Sequence, residues 1–412
     1  MPTQSAQSYI DLERKFGAFN YEPLPVVLQR GKGIYLWDTE ENKYFDFLSA
    51  YSAVNQGHCH PRIVESLISQ AERLTLTSRA FYNDQLGVTE KFLCETFGFD
   101  RMLPMNTGVE AAETAVKLTR KWGYQVKGIP QDKAKIVFAT GNFWGRSLGA
   151  ISASTDPNSR KEFGPFIPGF IVIPYNDIHA LKKELEDPNV AGFMVEPIQG
   201  EAGVILPDIG YLRKISQVCR EKNVLLILDE IQTGLGRTGK LLAADHENIK
   251  PDLLVLGKAL SGGTLPVSAV LSSDEVILTL KPGEHGSTFG GNPLASAVAK
   301  TAVQVILDEK LPDNAEQRGV EFREGMEILH KEYPDKIKQV RGKGLLNAVE
   351  FFPEKSGGSA AKKICYDLLD RGLLAKQTHD HTIRFAPPLC ITGEEIQIAI
   401  AKISDSVRKT LD

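Results

Sequence analysis

Between about Leu86 and about Ala302 the chain alternates short apolar runs with longer amphipathic stretches, and this alternation constrains the fold more than any other feature. The runs Leu225–Leu228 and Leu253–Leu256 are too short for buried helices and are flanked by turn residues, as expected of parallel strands covered on both faces. Strands are expected at Arg101–Met105, Lys135–Ala139, Phe170–Ile173, Ala191–Glu196, Leu225–Asp229, Leu253–Leu256 and Ser268–Ser272. Helices are expected at Ala111–Trp122, Ile178–Glu186, Gly210–Lys222 and Pro293–Ile306. Strands alternating with helices predict an α/β fold with a large, doubly wound, mostly parallel sheet.

Outside this region the pattern changes. Ile34–Asp38 and Lys43–Phe47 read as a hairpin, and Pro61 as the first turn of a helix. After about Asp308 come helices at Glu316–Tyr333, Ala360–Arg371 and Glu394–Thr410, with strands at Val340–Glu350 and Thr382–Phe385. The sequences Arg30-Gly31-Lys32-Gly33 and Arg341-Gly342-Lys343-Gly344 both read as turns that precede strands. The expected organisation is an N-terminal segment, 1–48, packing with a small α+β domain, 308–412, around a large ligand-binding domain, 49–307.

Composition narrows the function. A formal net charge of −4 gives no electrostatic case for nucleic acid or an anionic membrane, and no apolar stretch approaches a membrane span. Five scattered cysteines fit a reducing compartment better than a disulfide framework. Residues 1–14 have no hydrophobic core, so a cytoplasmic location is expected, or the mitochondrial matrix if a transit peptide has been removed. The pairs His58/His60 and His379/His381 lack matched ligands, so no metal is expected. No Walker A sequence is present.

The chemistry lies where strands end, because ligands on open α/β sheets bind outside the carboxyl ends of strands. Asp229 and Lys258 each close an apolar run. Together they supply what pyridoxal phosphate requires: a carboxylate for its pyridinium nitrogen and an amine for its aldehyde. Asn106-Thr107-Gly108-Val109 opens a helix after a strand, and is either an anion cradle or an ordinary capped helix start. Asn142-Phe143-Trp144-Gly145-Arg146-Ser147 offers either a stacking face with a carboxylate fork or a core aromatic beside a surface Arg. Glu196 and Glu201 follow another strand and are either buried and paired or solvated. Gly283–Pro293 places Ser287 and Thr288 among glycines, in either a phosphate loop or a flexible linker.

Taken together, these residues resemble the fold-type I, class III pyridoxal-phosphate aminotransferases. The resemblance is carried by Asn55-Gln56-Gly57-His58-Cys59-His60-Pro61, Asn106-Thr107-Gly108, Asp229–Gly234, Leu256–Gly263 and Ser287–Pro293. Gly17–Tyr21, Ser49–Asn55, Asn142–Arg146 and Arg384–Pro388 look like the members that act on the terminal amine of ornithine, with 2-oxoglutarate as acceptor. The resemblance implies pyridoxal 5'-phosphate bound by Lys258 and Asp229, with Phe143 on its ring, Gln232 on its phenolic oxygen and Gly108 and Val109 on its phosphate. It implies a homodimer, or a higher assembly built from it, with Ser287 and Thr288 reaching the neighbouring subunit's phosphate. For substrate it implies Tyr21 and Arg146 on the ornithine carboxylate, Tyr51 near its amine, and Glu201 masking Arg384 until a glutamate-like substrate enters. Class III enzymes acting on N-acetylornithine or 4-aminobutyrate are the nearest alternative, and a lyase or aminomutase on the same scaffold a more distant one.

Overall fold

The computed structural model describes residues 5–354 and 357–412. Its largest sheet has seven strands in the order 101–105, 268–272, 253–256, 225–229, 190–195, 135–139, 170–173. Ser268–Ser272 runs antiparallel to both of its neighbours, and the other pairings are parallel. The expected strands form at the expected places, the fourth in chain order one residue early as Val190–Val195. The central strands are buried along their whole length, which explains why their sequences are apolar without alternation. Helix Gly108–Gln125 packs on this sheet. Its start is fixed by Glu110, whose carboxylate accepts the backbone N–H of Thr107 at 2.6 Å.

Two smaller sheets lie outside the large one. Strands Ile337–Lys343, Leu346–Phe351, Thr382–Phe385 and Lys376–Thr378 form an antiparallel sheet. Leu28–Lys32, Tyr35–Asp38 and Lys43–Asp46 form a meander to which Leu373–Leu374 adds in parallel, so the first and last parts of the chain share a sheet. Two expectations need correction. Arg30–Lys32 lies inside a strand, paired with Tyr35–Leu36–Trp37. Arg341–Lys343 is likewise strand, paired with Leu346–Ala348, and the turn falls at Gly344-Leu345. Gly next to basic residues reads as a turn, but sheet pairing overrides local propensity here.

Residues 49–52 were not anticipated. Ser49, Ala50, Tyr51 and Ser52 all have positive φ, at 49°, 45°, 60° and 72°, which makes a left-handed turn without a single glycine. Each such residue costs about 1–2 kcal/mol in local conformation, so its surroundings must impose the turn.

Arg237 ties the parts together. It is completely buried, and its guanidinium donates to Leu345 O at 2.9 Å, Pro387 O at 2.6 Å and Asn55 Oδ1 at 2.6 Å. Burial lowers its pKa to about 9. Arg237→Ala should leave those acceptors unpaired and cost about 2–5 kcal/mol in a urea titration, since each buried group stripped of its partner costs about 1–3 kcal/mol.

Candidate active site

Three neighbouring parallel strands deliver three ionisable groups to one rim. Glu196 follows Val190–Val195, Asp229 ends Leu225–Asp229, and Lys258 lies two residues beyond Leu253–Leu256. Lys258 has φ of 46°, a conformation an L-residue holds only where the structure around it demands it. It opens a short 3-10 turn, Lys258–Ser261, which turns the chain just past the strand.

These side chains border a cavity of about 150 Å³ with Gly108, Val109, Phe143, Gln232 and Glu201. Gly108 and Val109 are the first residues of the helix that starts there, so backbone N–H groups and the helix dipole face the cavity's end. Two glycines keep it open. A Cβ on Gly145 would fall 2.4 Å from Val109, and one on Gly200 would fall 1.3 Å from Gln232 Oε1. That Gln232 oxygen is buried with no hydrogen-bond partner, as expected of a group prepared for a ligand. An amine, a buried carboxylate, an aromatic wall, a helix start and an orphaned amide oxygen suit pyridoxal phosphate.

Burial sets the electrostatics. It lowers the pKa of Lys258, and Glu201 and Asp229 only partly offset this. The amine is thereby biased toward its free base. Asp229 is raised to about 6 by burial, against the Ile231 N–H that it accepts at 3.0 Å and the charge of Lys258. Glu196 is raised to about 8, first by burial and then by Asp229. Its two oxygens accept the backbone N–H groups of Phe143 at 3.0 Å and Gly200 at 3.4 Å. Glu196 therefore anchors both the aromatic loop and the loop that carries Glu201. The sequence marked Glu196 as a strand-end acid; its partners come from loops distant in sequence.

A second, wider cleft of about 550 Å³ adjoins the first, lined by Tyr51, Phe143, Arg146, Glu201 and Arg384. Arg384 is 1% exposed and pairs with Glu201 at 2.8 Å. It also donates to Gly200 O at 3.2 Å, while its Nε has no partner. Burial opposes the charge on Glu201, but Arg384 and Lys258 outweigh it and hold the carboxyl below its usual range. Gln232 Nε2 donates to Glu201 at 3.3 Å and to Tyr51 O at 3.2 Å. The Tyr51 ring lies 5.0 Å from the Arg384 guanidinium carbon. Lys376, Gln377, Thr378 and His379 also line this cleft; of these only His379 stood out in the sequence, as half of a rejected metal pair.

Three expected site residues do not line either cleft. Tyr21 is 68% exposed and lines neither. Ser287 and Thr288 also line neither, and Ser287 Oγ accepts Asn106 Nδ2 at 2.9 Å and Gly290 N at 3.0 Å.

Comparison with known proteins agrees with this geometry. Residues 16–407 match the family model described as aminotransferase class-III. The chain belongs to the class III aminotransferases, which are pyridoxal-phosphate-dependent transaminases. It is 58% identical over 403 residues to the mitochondrial ornithine aminotransferase of Rattus norvegicus, covering 98% of this chain and 91% of that one. An ornithine aminotransferase structure from Toxoplasma gondii superposes with a TM-score of 0.97 at 49% identity, covering 100% of this chain and 96% of that one. An acetylornithine aminotransferase structure from Elizabethkingia anophelis gives 0.90 at 51% identity, covering 99% and 100%.

Glu196 yields a pH prediction. Its folded pKa exceeds its ordinary value, so the folded protein keeps a proton that the unfolded chain releases. Its contribution to stability is complete at acid pH and fades as pH rises toward its folded value. In cofactor-free protein, urea stability should fall between about pH 5 and about pH 9, and Glu196→Gln should flatten that fall.

Proposed function

We propose that this enzyme moves the terminal amine of L-ornithine to 2-oxoglutarate, giving L-glutamate 5-semialdehyde and L-glutamate by a ping-pong cycle. The observation that carries this reading is the Arg384–Glu201 pair in the wider cleft. Ornithine must present its terminal amine to the reacting centre, whereas glutamate must present its α-amine. A single pocket therefore has to hold a carboxylate at two different distances. With Glu201 on Arg384, an α-carboxylate is left to Arg146, which favours reaction at the far amine. When a glutamate-like substrate enters, Glu201 withdraws and Arg384 takes the α-carboxylate. Leaving Arg384 unpaired would cost roughly 3–5 kcal/mol, so the exchange of partners is what makes the switch affordable.

Bound pyridoxal phosphate supplies an electron sink for the substrate's carbanion. Lys258 Nζ holds the cofactor and, as a free base, takes and returns the proton of the substrate carbon. Asp229 keeps the pyridine nitrogen protonated, Phe143 covers the ring, Gln232 bonds the phenolic oxygen, and Gly108 and Val109 donate backbone N–H to the phosphate. Tyr21 and Arg146 hold the ornithine carboxylate, and Tyr51 shapes the cleft near the amine. Ser287 and Thr288 act in a second subunit's site, which makes a homodimer part of the proposal. That neither lines this chain's own cavity supports this, as do Phe81 and Phe289, exposed at 70% and 55%. We also place the domain boundaries after residues 48 and 307, where the shared sheet and the left-handed Lys310 (φ 51°) support a division. A reducing compartment, cytoplasmic or mitochondrial, suits its five unpaired cysteines.

The second reading, N-acetylornithine as donor, has the Elizabethkingia structure in its favour. Absorbance decides between them. The visible-edge band of the holoenzyme should bleach with L-ornithine alone and return with 2-oxoglutarate. Bleaching with N-acetylornithine or 4-aminobutyrate, but not ornithine, would overturn the substrate. Glu201→Ala should lower the preference for ornithine over glutamate in half-reaction rates by about tenfold or more, and an unchanged ratio would remove the switch. Lys258→Ala should lower turnover by more than about a thousandfold.

A further inference from the structure

The left-handed turn at 49–52 carries Tyr51 into the substrate cleft, and what holds that turn is a carboxylate outside the cleft. Asp46 ends a strand and is 4% exposed. Its Oδ1 accepts the backbone N–H groups of Leu48 and Ser49, both at 2.8 Å, at the turn's entrance. Its Oδ2 is met by His58 Nε2 at 2.7 Å. His58 is itself fixed through its backbone, which exchanges hydrogen bonds with Gly33 at 2.8 and 3.0 Å. Within the turn, Leu48 O accepts from Tyr51 at 2.9 Å and Ser49 O from Ala53 at 2.8 Å. The turn's own serines do not secure it, since Ser49 Oγ and Ser52 Oγ are buried and make no hydrogen bond.

Tyr51 leaves this turn with two attachments to the cleft: its carbonyl accepts Gln232 Nε2 at 3.2 Å, and its ring lies over Arg384. A turn that relaxed to ordinary backbone angles would change both at once. We propose that Asp46, braced by His58, is a positioning residue that holds the strained turn at 49–52, places Tyr51 over Arg384, and thereby sets which amine of a diamino acid the cleft presents. This rests on the substrate reading above. Neither Asp46 nor His58 lines either cleft, and the turn is the element that links them to Tyr51.

The test uses holoenzyme and three variants: Asp46→Asn, Ala50→Gly, and the two combined. Glycine occupies the left-handed region without strain, so Ala50→Gly relieves one of the turn's four strained positions. Asp46→Asn should lower the ratio of ornithine to glutamate half-reaction rates by about tenfold, and adding Ala50→Gly should recover part of it. In parallel, 3-fluorotyrosine placed at position 51 gives a fluorine resonance that reads the ring's surroundings with no substrate present. That resonance should shift or broaden in Asp46→Asn and return partway in the double variant. Should both half-reactions fall by the same factor, or the resonance stay where it is, the proposal is overturned and Asp46 is a stabilising residue only. Should the wild type turn over no ornithine, the substrate reading fails, and the fluorine signal still decides whether Asp46 places Tyr51.

Discussion

Arg384 is a cation almost completely removed from water, with one carboxylate for company, and the rest of the cleft is arranged around that fact. Taking the carboxylate from such a pair without a replacement leaves an uncompensated buried charge, which is costly. The 28% exposure of the Glu201 side chain leaves it room to move, whereas Arg384, at 2%, has none. The member of the pair with room to move is therefore the acid, which is what the proposed exchange for a substrate carboxylate requires. Gln232 bridges this pair to Tyr51, so its amide joins the cofactor cavity to the substrate cleft.

The second constraint is the burial of three ionisable groups at one rim of the parallel sheet. Removing Lys258, Asp229 and Glu196 from water pushes all three toward their neutral forms. For Lys258 the neutral form is the reactive one. For Asp229 it is not, and a cationic ring nitrogen would restore the carboxylate by supplying the missing opposite charge. The cavity without cofactor is in that sense electrostatically incomplete. Glu196 accepts the backbone N–H groups of Phe143 and Gly200, which makes it the brace for two loops.

Much of this was legible in the chain. Strands with uninterrupted apolar runs, such as Leu253–Leu256, announce themselves because both faces are covered, and the residue that ends each one must then lie at the functional rim. Asp229, Lys258 and the Gly108 helix start were found in this way. The roles of Tyr51, Arg384 and Glu201 came from family resemblance and not from spacing. Arg30–Lys32 and Arg341–Lys343 were misread because Gly and Lys favour turns locally, and only pairing with a neighbouring strand decides otherwise. The turn at 49–52 was invisible because Ser-Ala-Tyr-Ser has no tendency toward left-handed angles.

By itself, then, the sequence determined the class of fold, the order of its elements and which residues end strands at the rim, because periodicity and strand ends are local properties. Tertiary structure decided what no local pattern encodes. It joined Leu373–Leu374 to the N-terminal sheet, buried Arg237 between three distant segments, closed Glu201 onto Arg384 and forced residues 49–52 into strain. Each of these depends on groups far apart in the chain and on the cost of leaving a buried charge or backbone N–H unpaired, a cost that exists only once the chain has folded.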